Sequence, residues 1–142
     1  MPVKRTPVSR GRKNTPGAGT ASKKTATGKP LVPEDLTRFV LVEDCRIAPE
    51  GDTILFTRRH VDDKNKTVAN LWTVATDGRS APRQFTTGGK DGHGRFSPDG
   101  RHIAFLSGRD KSLQQIWMIP RLGGEALQLT NFPEGSIGEF RW

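Results

Sequence analysis

The sequence predicts an all-β fold: a partial β-propeller of two four-stranded blades and the first strand of a third, after a disordered tail and a short helix. Three observations predict it. A motif recurs at an interval close to the length of one blade, about 45 residues. Each copy holds four strand-like segments divided by turn-forming residues. The strands are apolar on both faces, as a sheet held between two neighbouring sheets requires. A hydrophobic share of 32%, with 16 glycines and 10 prolines among 142 residues, agrees with many turns and short strands.

Residues 1–30 are predicted to be disordered. They hold Lys4, Arg5, Arg10, Arg12, Lys13, Lys23, Lys24 and Lys29, no Asp or Glu, and no aromatic residue. Such a segment has too little apolar surface to offset its ordering entropy. Residues 31–142 carry 15 basic and 15 acidic residues, so the tail accounts for the whole net charge of +8. Clustered Lys and Arg could contact phosphates. With no aromatic stacking residue or folded reader beside them, the tail is read as solvated, and nucleic acid is not an expected partner.

Residues 31–42 form a short helix and lead-in. Pro33 suits a first helical turn, Glu34 and Asp35 suit the positive end of the helix dipole, and Leu36, Phe39 and Val40 share one face. So short a helix needs a surface to dock on.

The first blade is placed at 43–88 and the second at 89–135. Arg46-Ile47-Ala48-Pro49-Glu50-Gly51 aligns with Arg95-Phe96-Ser97-Pro98-Asp99-Gly100, each followed by an alternating strand, 53–57 and 102–106. Tryptophan strands follow around Trp72 and Trp117, then turns at Asp77-Gly78 and Gly123-Gly124, then short strands ending at Thr86 and Thr130. The offsets are 49 residues for the prolines, 45 for the tryptophans and 44 for the threonines. The extra residues of the first copy are assigned to the hydrophilic loop around Asp62-Asp63-Lys64-Asn65-Lys66, where insertion is cheap. Arg141-Trp142 aligns with Arg95-Phe96, so 136–142 reads as the start of a third blade.

A two-sheet sandwich is the competing fold, but it expects one polar face on each strand. Ile103 and Phe105 lie on one face of their strand, and Ala104 and Leu106 on the other. Propellers close with about four to eight blades, so the chain is expected to be a fragment of a longer protein or one shortened by a premature stop.

The residues offer no catalytic, cofactor-binding or metal site. No Gly-x-Ser-x-Gly elbow occurs; Gly135-Ser136-Ile137-Gly138 has the wrong spacing. His60, His93 and His102 lack metal-ligand spacing and read as turn and strand-end residues. Asp62, Asp63 and Asn65 lack the later Gly and Glu of a calcium loop. Gly17-Ala18-Gly19 follows no strand, so it is no dinucleotide loop. Arg109-Asp110 reads as a local turn with a surface ion pair. Cys45 is the single cysteine, which suits a reducing compartment and a cytoplasmic location. No apolar run is long enough to span a membrane, and the basic front end lacks the apolar core of a secretory signal.

The run from Phe96 to Phe105 resembles the repeat of TolB-type propellers. Its continuation is similar to the acylaminoacyl-peptidase branch of the prolyl oligopeptidase family. That continuation comprises Ser107-Gly108-Arg109-Asp110, Gln115-Ile116-Trp117-Met118-Ile119-Pro120, Gly123-Gly124-Glu125-Ala126 and Leu129-Thr130. Pro33-Glu34-Asp35-Leu36 and Phe132-Pro133-Glu134-Gly135 resemble that branch too. The likeness covers about 33–142. It implies a longer serine peptidase in which a seven- or eight-bladed propeller covers the active site. A C-terminal α/β-hydrolase domain, the expected partner, would supply the Ser-Asp-His triad and bind peptide substrates. No triad position falls in this sequence, so the chain alone is expected to be inactive. Ala48-Pro49-Glu50-Gly51 departs from the Ser-Pro-Asp-Gly pattern. The alternative is a TolB-like propeller acting as a non-enzymatic protein-binding module.

Overall fold

The computed structural model describes residues 28, 30–110 and 113–142. The chain divides into one unit at Met1–Pro30 and another at Leu31–Trp142. The tail expectation falls outside the described residues except at Gly28 and Pro30; the architecture is that of the second unit.

Pro33–Arg38 forms a 3-10 helix. The Val32 amide donates to the Asp35 carboxylate at 3.2 Å, and the Thr37 hydroxyl to the Glu34 carbonyl at 2.8 Å. None of its residues is buried, and Leu36 stays exposed. Phe39 is already extended and Val40 opens the first strand, so the helix does not continue through Val40 as its spacing suggested. The β-branched residues of Phe39-Val40-Leu41-Val42 favour a strand over another helical turn.

Eight strands follow: β1 (Val40–Ile47), β2 (Thr53–Val61), β3 (Thr67–Ala75), β4 (Arg83–Gln84), β5 (Asp91–Phe96), β6 (His102–Ser107), β7 (Gln115–Pro120) and β8 (Leu127–Gln128). They form two four-stranded antiparallel sheets, β1-β2-β3-β4 and β5-β6-β7-β8, each built from consecutive strands. These are two propeller blades with matching registers. Phe56 pairs with Trp72 and Trp72 with Gln84; Phe105 pairs with Trp117 and Trp117 with Gln128. Each inner strand also bulges at one place, between Glu43 and Arg46 and between Gly92 and Arg95. Asp44 (φ 52°) and His93 (φ 54°) hold the left-handed conformation there. A bulge bends its strand and increases the local twist.

The turns repeat as well. The Gly51 amide donates to the Ala48 carbonyl at 2.8 Å and the Gly100 amide to the Ser97 carbonyl at 2.9 Å. Both glycines have positive φ, 77° and 66°, where a Cβ would be strained. In the second turn the Ser97 hydroxyl also donates to Asp99 at 2.6 Å and accepts from the His102 amide at 2.9 Å. The Ser97 hydroxyl and the Arg101 amide hold the Asp99 carboxyl below its ordinary range. Ala48 and Glu50 supply no such side-chain ring, yet the first turn closes through its backbone alone. The closing threonines act alike: Thr86 Oγ1 accepts from the Leu71 amide at 3.0 Å, and Thr130 Oγ1 from the Ile116 amide at 2.9 Å.

The extra residues of the first copy lengthen its hairpin instead of its loop. Beyond Arg58–Asn70 the β2–β3 ladder continues through Arg59–Ala69, His60–Val68 and Val61–Thr67, whereas the β6–β7 ladder stops at the corresponding pair, Ser107–Gln115. Thr67 and Val68 are β-branched and favour the strand. The turn itself is tight: Asp62 Oδ1 accepts from the Lys64 and Lys66 amides at 3.0 and 2.7 Å, and Asn65 takes φ 58°.

The two faces of each strand do different work. The front face of the second blade carries Ile103, Phe105, Trp117 and Ile119, which share one core with Leu55 and Leu71 on the back face of the first blade. The sheets therefore stack front to back, as blades do. Residues 136–142 run beside the second blade without forming a strand: the Gln114 carbonyl accepts from the Ile137 amide at 2.9 Å, and Trp142 Nε1 donates to the Arg95 carbonyl at 3.3 Å. Among the described residues no helix is long and apolar enough to cross a membrane.

Candidate functional site

The seam between the blades holds the densest polar chemistry. The blades come close at Gly94 in the β5 bulge, where a Cβ would lie 2.6 Å from Leu55 Cδ2 and 3.2 Å from Leu71 Cδ2. Only a residue without a side chain lets the inner strand sit this close. The next residue, Arg95, reaches back to Asp44 in the first bulge at 2.6 Å, and Asp44 also pairs with Arg46 at 2.8 Å. At the end of the seam the Arg121 guanidinium, just past β7, pairs with Glu50 at 2.6 Å and with Asp52, donates to the Thr53 hydroxyl at 3.3 Å, and lies over the Phe96 ring. Burial works against ionisation of Asp52, but the hydrogen bonds from Thr53 and Arg121 and the Arg121 charge outweigh it and hold the carboxyl below its ordinary range.

A second cluster lies where β5 begins. Asp91 is 1% exposed. It accepts from the Ser107 hydroxyl at 2.6 Å, from the Gly88 amide at 3.0 Å, and from Arg109 through both carboxylate oxygens at 3.0 Å. The Arg109 guanidinium lies over the Trp117 and Phe105 rings, 4.8 and 5.3 Å from their centroids. The expected surface pair of Arg109 with Asp110 is thus replaced by a bidentate pair with a buried carboxylate eighteen residues earlier. Chain proximity suggested Asp110; the Ser107-x-Arg109 spacing, which puts both side chains on the β6 face turned to the first blade, was the available signal.

The histidines are scattered. His60 sits in the extended β2 hairpin with its buried Nδ1 unpartnered among the described residues, His93 occupies the bulge, and His102 opens β6. Cys45 is exposed in the first bulge. Asp62 spends its carboxylate on its own turn. The geometry brings none of these together, and what the seam supplies is rigid positioning of one blade on the next. The front face of the first blade carries the positions that the second blade buries, and there Val40, Val42 and Ile47 are exposed, Ile47 at 65% against a half-buried Phe96 at the matching position.

No family model matches the sequence. It is 36% identical over 110 residues to the uncharacterized peptidase YuxL of Bacillus subtilis, a match spanning 75% of this chain and 16% of that protein. It is 32% identical over 101 residues to dipeptidyl-peptidase 5 of Porphyromonas gingivalis, spanning 70% of this chain and 14% of that one. These matches support the resemblance of the chain to the propeller portion of prolyl oligopeptidase-family peptidases. It spans about one sixth of the length of the curated relatives it matches. Its fold is that of the Pyrococcus horikoshii acylaminoacyl peptidase over 67% of this chain and 15% of that one (TM-score 0.55, 20% identity). The β-propeller domain of the trilobed protease from Pyrococcus furiosus matches over 66% of this chain and 28% of that one (TM-score 0.53, 18% identity).

Proposed function

We propose that this chain is the entry part of a peptidase propeller, whose blades gate and scaffold peptide hydrolysis carried out by an α/β-hydrolase domain of a longer protein. The observation that carries this reading is the 36% identity to a peptidase across 110 residues, which is 75% of this chain. The seam supports it: a gate must hold its shape, and Gly94 packing with the Arg95 and Arg121 ties fixes one blade on the next. Peptide substrates would reach the hydrolase domain past the propeller, and large folded proteins would be held off. A cytoplasmic location belongs to the same reading and is supported by the single, unpaired Cys45.

The test begins with the reading frame downstream of Trp142. Further blades followed by a Gly-x-Ser-x-Gly elbow are expected, and the full protein should cleave short peptide anilides in a manner blocked by serine-directed inhibitors. It should spare folded proteins. Deleting residues 31–142 from it should admit longer substrates. A frame that ends after the propeller with no hydrolase would overturn the proposal in favour of a TolB-like binding module.

A further inference from the structure

We propose that the open front face of the first blade docks a surface that presents a carboxylate to Arg58, and that this surface is the back face of a later blade of the longer protein. The inference rests on the peptidase-propeller reading and adds to it the charge that the docking blade must carry.

Arg58 is half-buried on that face, with its guanidinium 4.9 Å from the centroid of the Trp72 ring. Its direct neighbour across the β1–β2 ladder is Val42, which is 58% exposed. Among the described residues no carboxylate pairs with Arg58. Those of β1 and of the turn after it are engaged elsewhere: Glu43 with Arg59, Asp44 with Arg46 and Arg95, Glu50 and Asp52 with Arg121.

The second blade shows how the same face is built where a neighbour covers it. The ladder pair matching Val42–Arg58 is Asp91–Ser107. The cation stacked on the tryptophan there, Arg109, is bidentate with the buried Asp91 at 3.0 Å. The first blade keeps a stacked cation and has Val42 in place of the carboxylate. While the face is open, water solvates Arg58. Under an apolar neighbour the guanidinium would lose that water, and a buried charge without a counter-ion is strongly disfavoured. The neighbour must therefore bring the anion. A guanidinium lying flat on an indole still offers its N–H edge, which suits a bidentate carboxylate.

This requirement selects the partner. A second copy of this chain could cover the apolar positions, but the back face of its second blade carries Ala104, Leu106, Ile116 and Met118, with no acid among them. A later blade with Asp or Glu set among apolar back-face positions meets both needs.

The test is carbodiimide coupling of the full-length protein carrying Arg58→Lys, because the reagent joins an amine to a carboxylate only where the two touch. Peptide mapping should find position 58 bonded to an Asp or Glu of a later blade, and changing that acid to its amide should abolish the bond. Hydrogen exchange supplies a second readout. Arg58→Met should speed amide exchange in β1 at least tenfold in the full-length protein, and Arg58→Lys should restore most of the protection. In the 142-residue chain, which has no later blade, Arg58→Met should shift Tm by no more than about 2 °C. Coupling of position 58 to its own blade or to a second copy would overturn the proposal, as would the absence of any coupling in a protein that has the later blades. A reading frame with no later blade would overturn the peptidase-propeller reading as well.

Discussion

Replacing Gly94 by alanine tests the seam most directly. The added Cβ would stand 2.6 Å from Leu55 Cδ2, 3.3 Å from Leu55 Cγ and 3.2 Å from Leu71 Cδ2. Both leucines are fully buried in the shared core, so neither can swing into solvent. Either β5 must retreat from the first blade or Leu55 must leave its rotamer. Overpacking of this kind costs about 1–3 kcal/mol, which for a domain near 100 residues lowers Tm by on the order of 5–20 °C. Cys45 occupies the same bulge position in the first blade and is exposed; Cys45→Ala should stay within about 0.5 kcal/mol of the parent. Adding Leu55→Val to Gly94→Ala should recover part of the loss, because the two changes meet at one contact and need not add. Thermal unfolding of the four proteins is the assay. A Gly94→Ala protein that melts with the parent would refute the close approach of β5, and with it the front-to-back stacking.

Three other outcomes are expected. Arg109→Met should destabilise by about 3–5 kcal/mol, since it strands the buried Asp91 carboxylate; Asp91→Asn combined with Arg109→Met should be less damaging than Arg109→Met alone, and chemical denaturation reads both. Asp99 has its folded-state pKa depressed below 3.8 by the Ser97 hydroxyl and the Arg101 amide, so its stabilisation is present above about pH 4 and lost as pH falls through the folded value. Asp99→Asn should therefore flatten the fall in stability on acidification below pH 4, and an unchanged acid limb would remove Asp99 from the account. Ile47→Lys, on the 65% exposed position of the front face, should reduce self-association of the chain in sedimentation, because that face presents the residues the second blade buries.

Much of the fold was legible because propeller blades write the same chemistry twice. The turn glycines, the paired Phe56–Trp72 and Phe105–Trp117, and the closing Thr86 and Thr130 recur at offsets that a sequence comparison finds by eye, and each needs its residue type for a local reason. What stayed hidden depends on contacts between copies. Gly94 reads as one more glycine until Leu55 is seen beneath it. Arg109 invites pairing with its neighbour Asp110, and only the fold brings Asp91 under it. Asp44 and Arg121 break the repeat, so no periodicity announces them. The hairpin extension at His60–Val68 and Val61–Thr67 was misplaced for a related reason: hydrophilic residues cluster at the turn, and the strand-forming Thr67 and Val68 beside it carry a weaker signal.

The seam joins two kinds of contact that differ in what they can distinguish. Aliphatic and aromatic packing would accept any blade of this repeat, because front faces resemble front faces: Ile54, Phe56, Trp72 and Val74 in one, Ile103, Phe105, Trp117 and Ile119 in the next. The ion pairs would not. Asp44 meets Arg95, and Arg121 meets Glu50 and Asp52, whereas the second blade has His93 where the first has Asp44, and the first has Thr76 where the second has Arg121. A blade docked out of turn would satisfy the apolar contacts but lack the Asp44 carboxylate or the Arg121 guanidinium. The ion pairs thus act as an address: apolar contact says that a neighbour is a blade, and Asp44 and Arg121, which the other copy lacks, say which one.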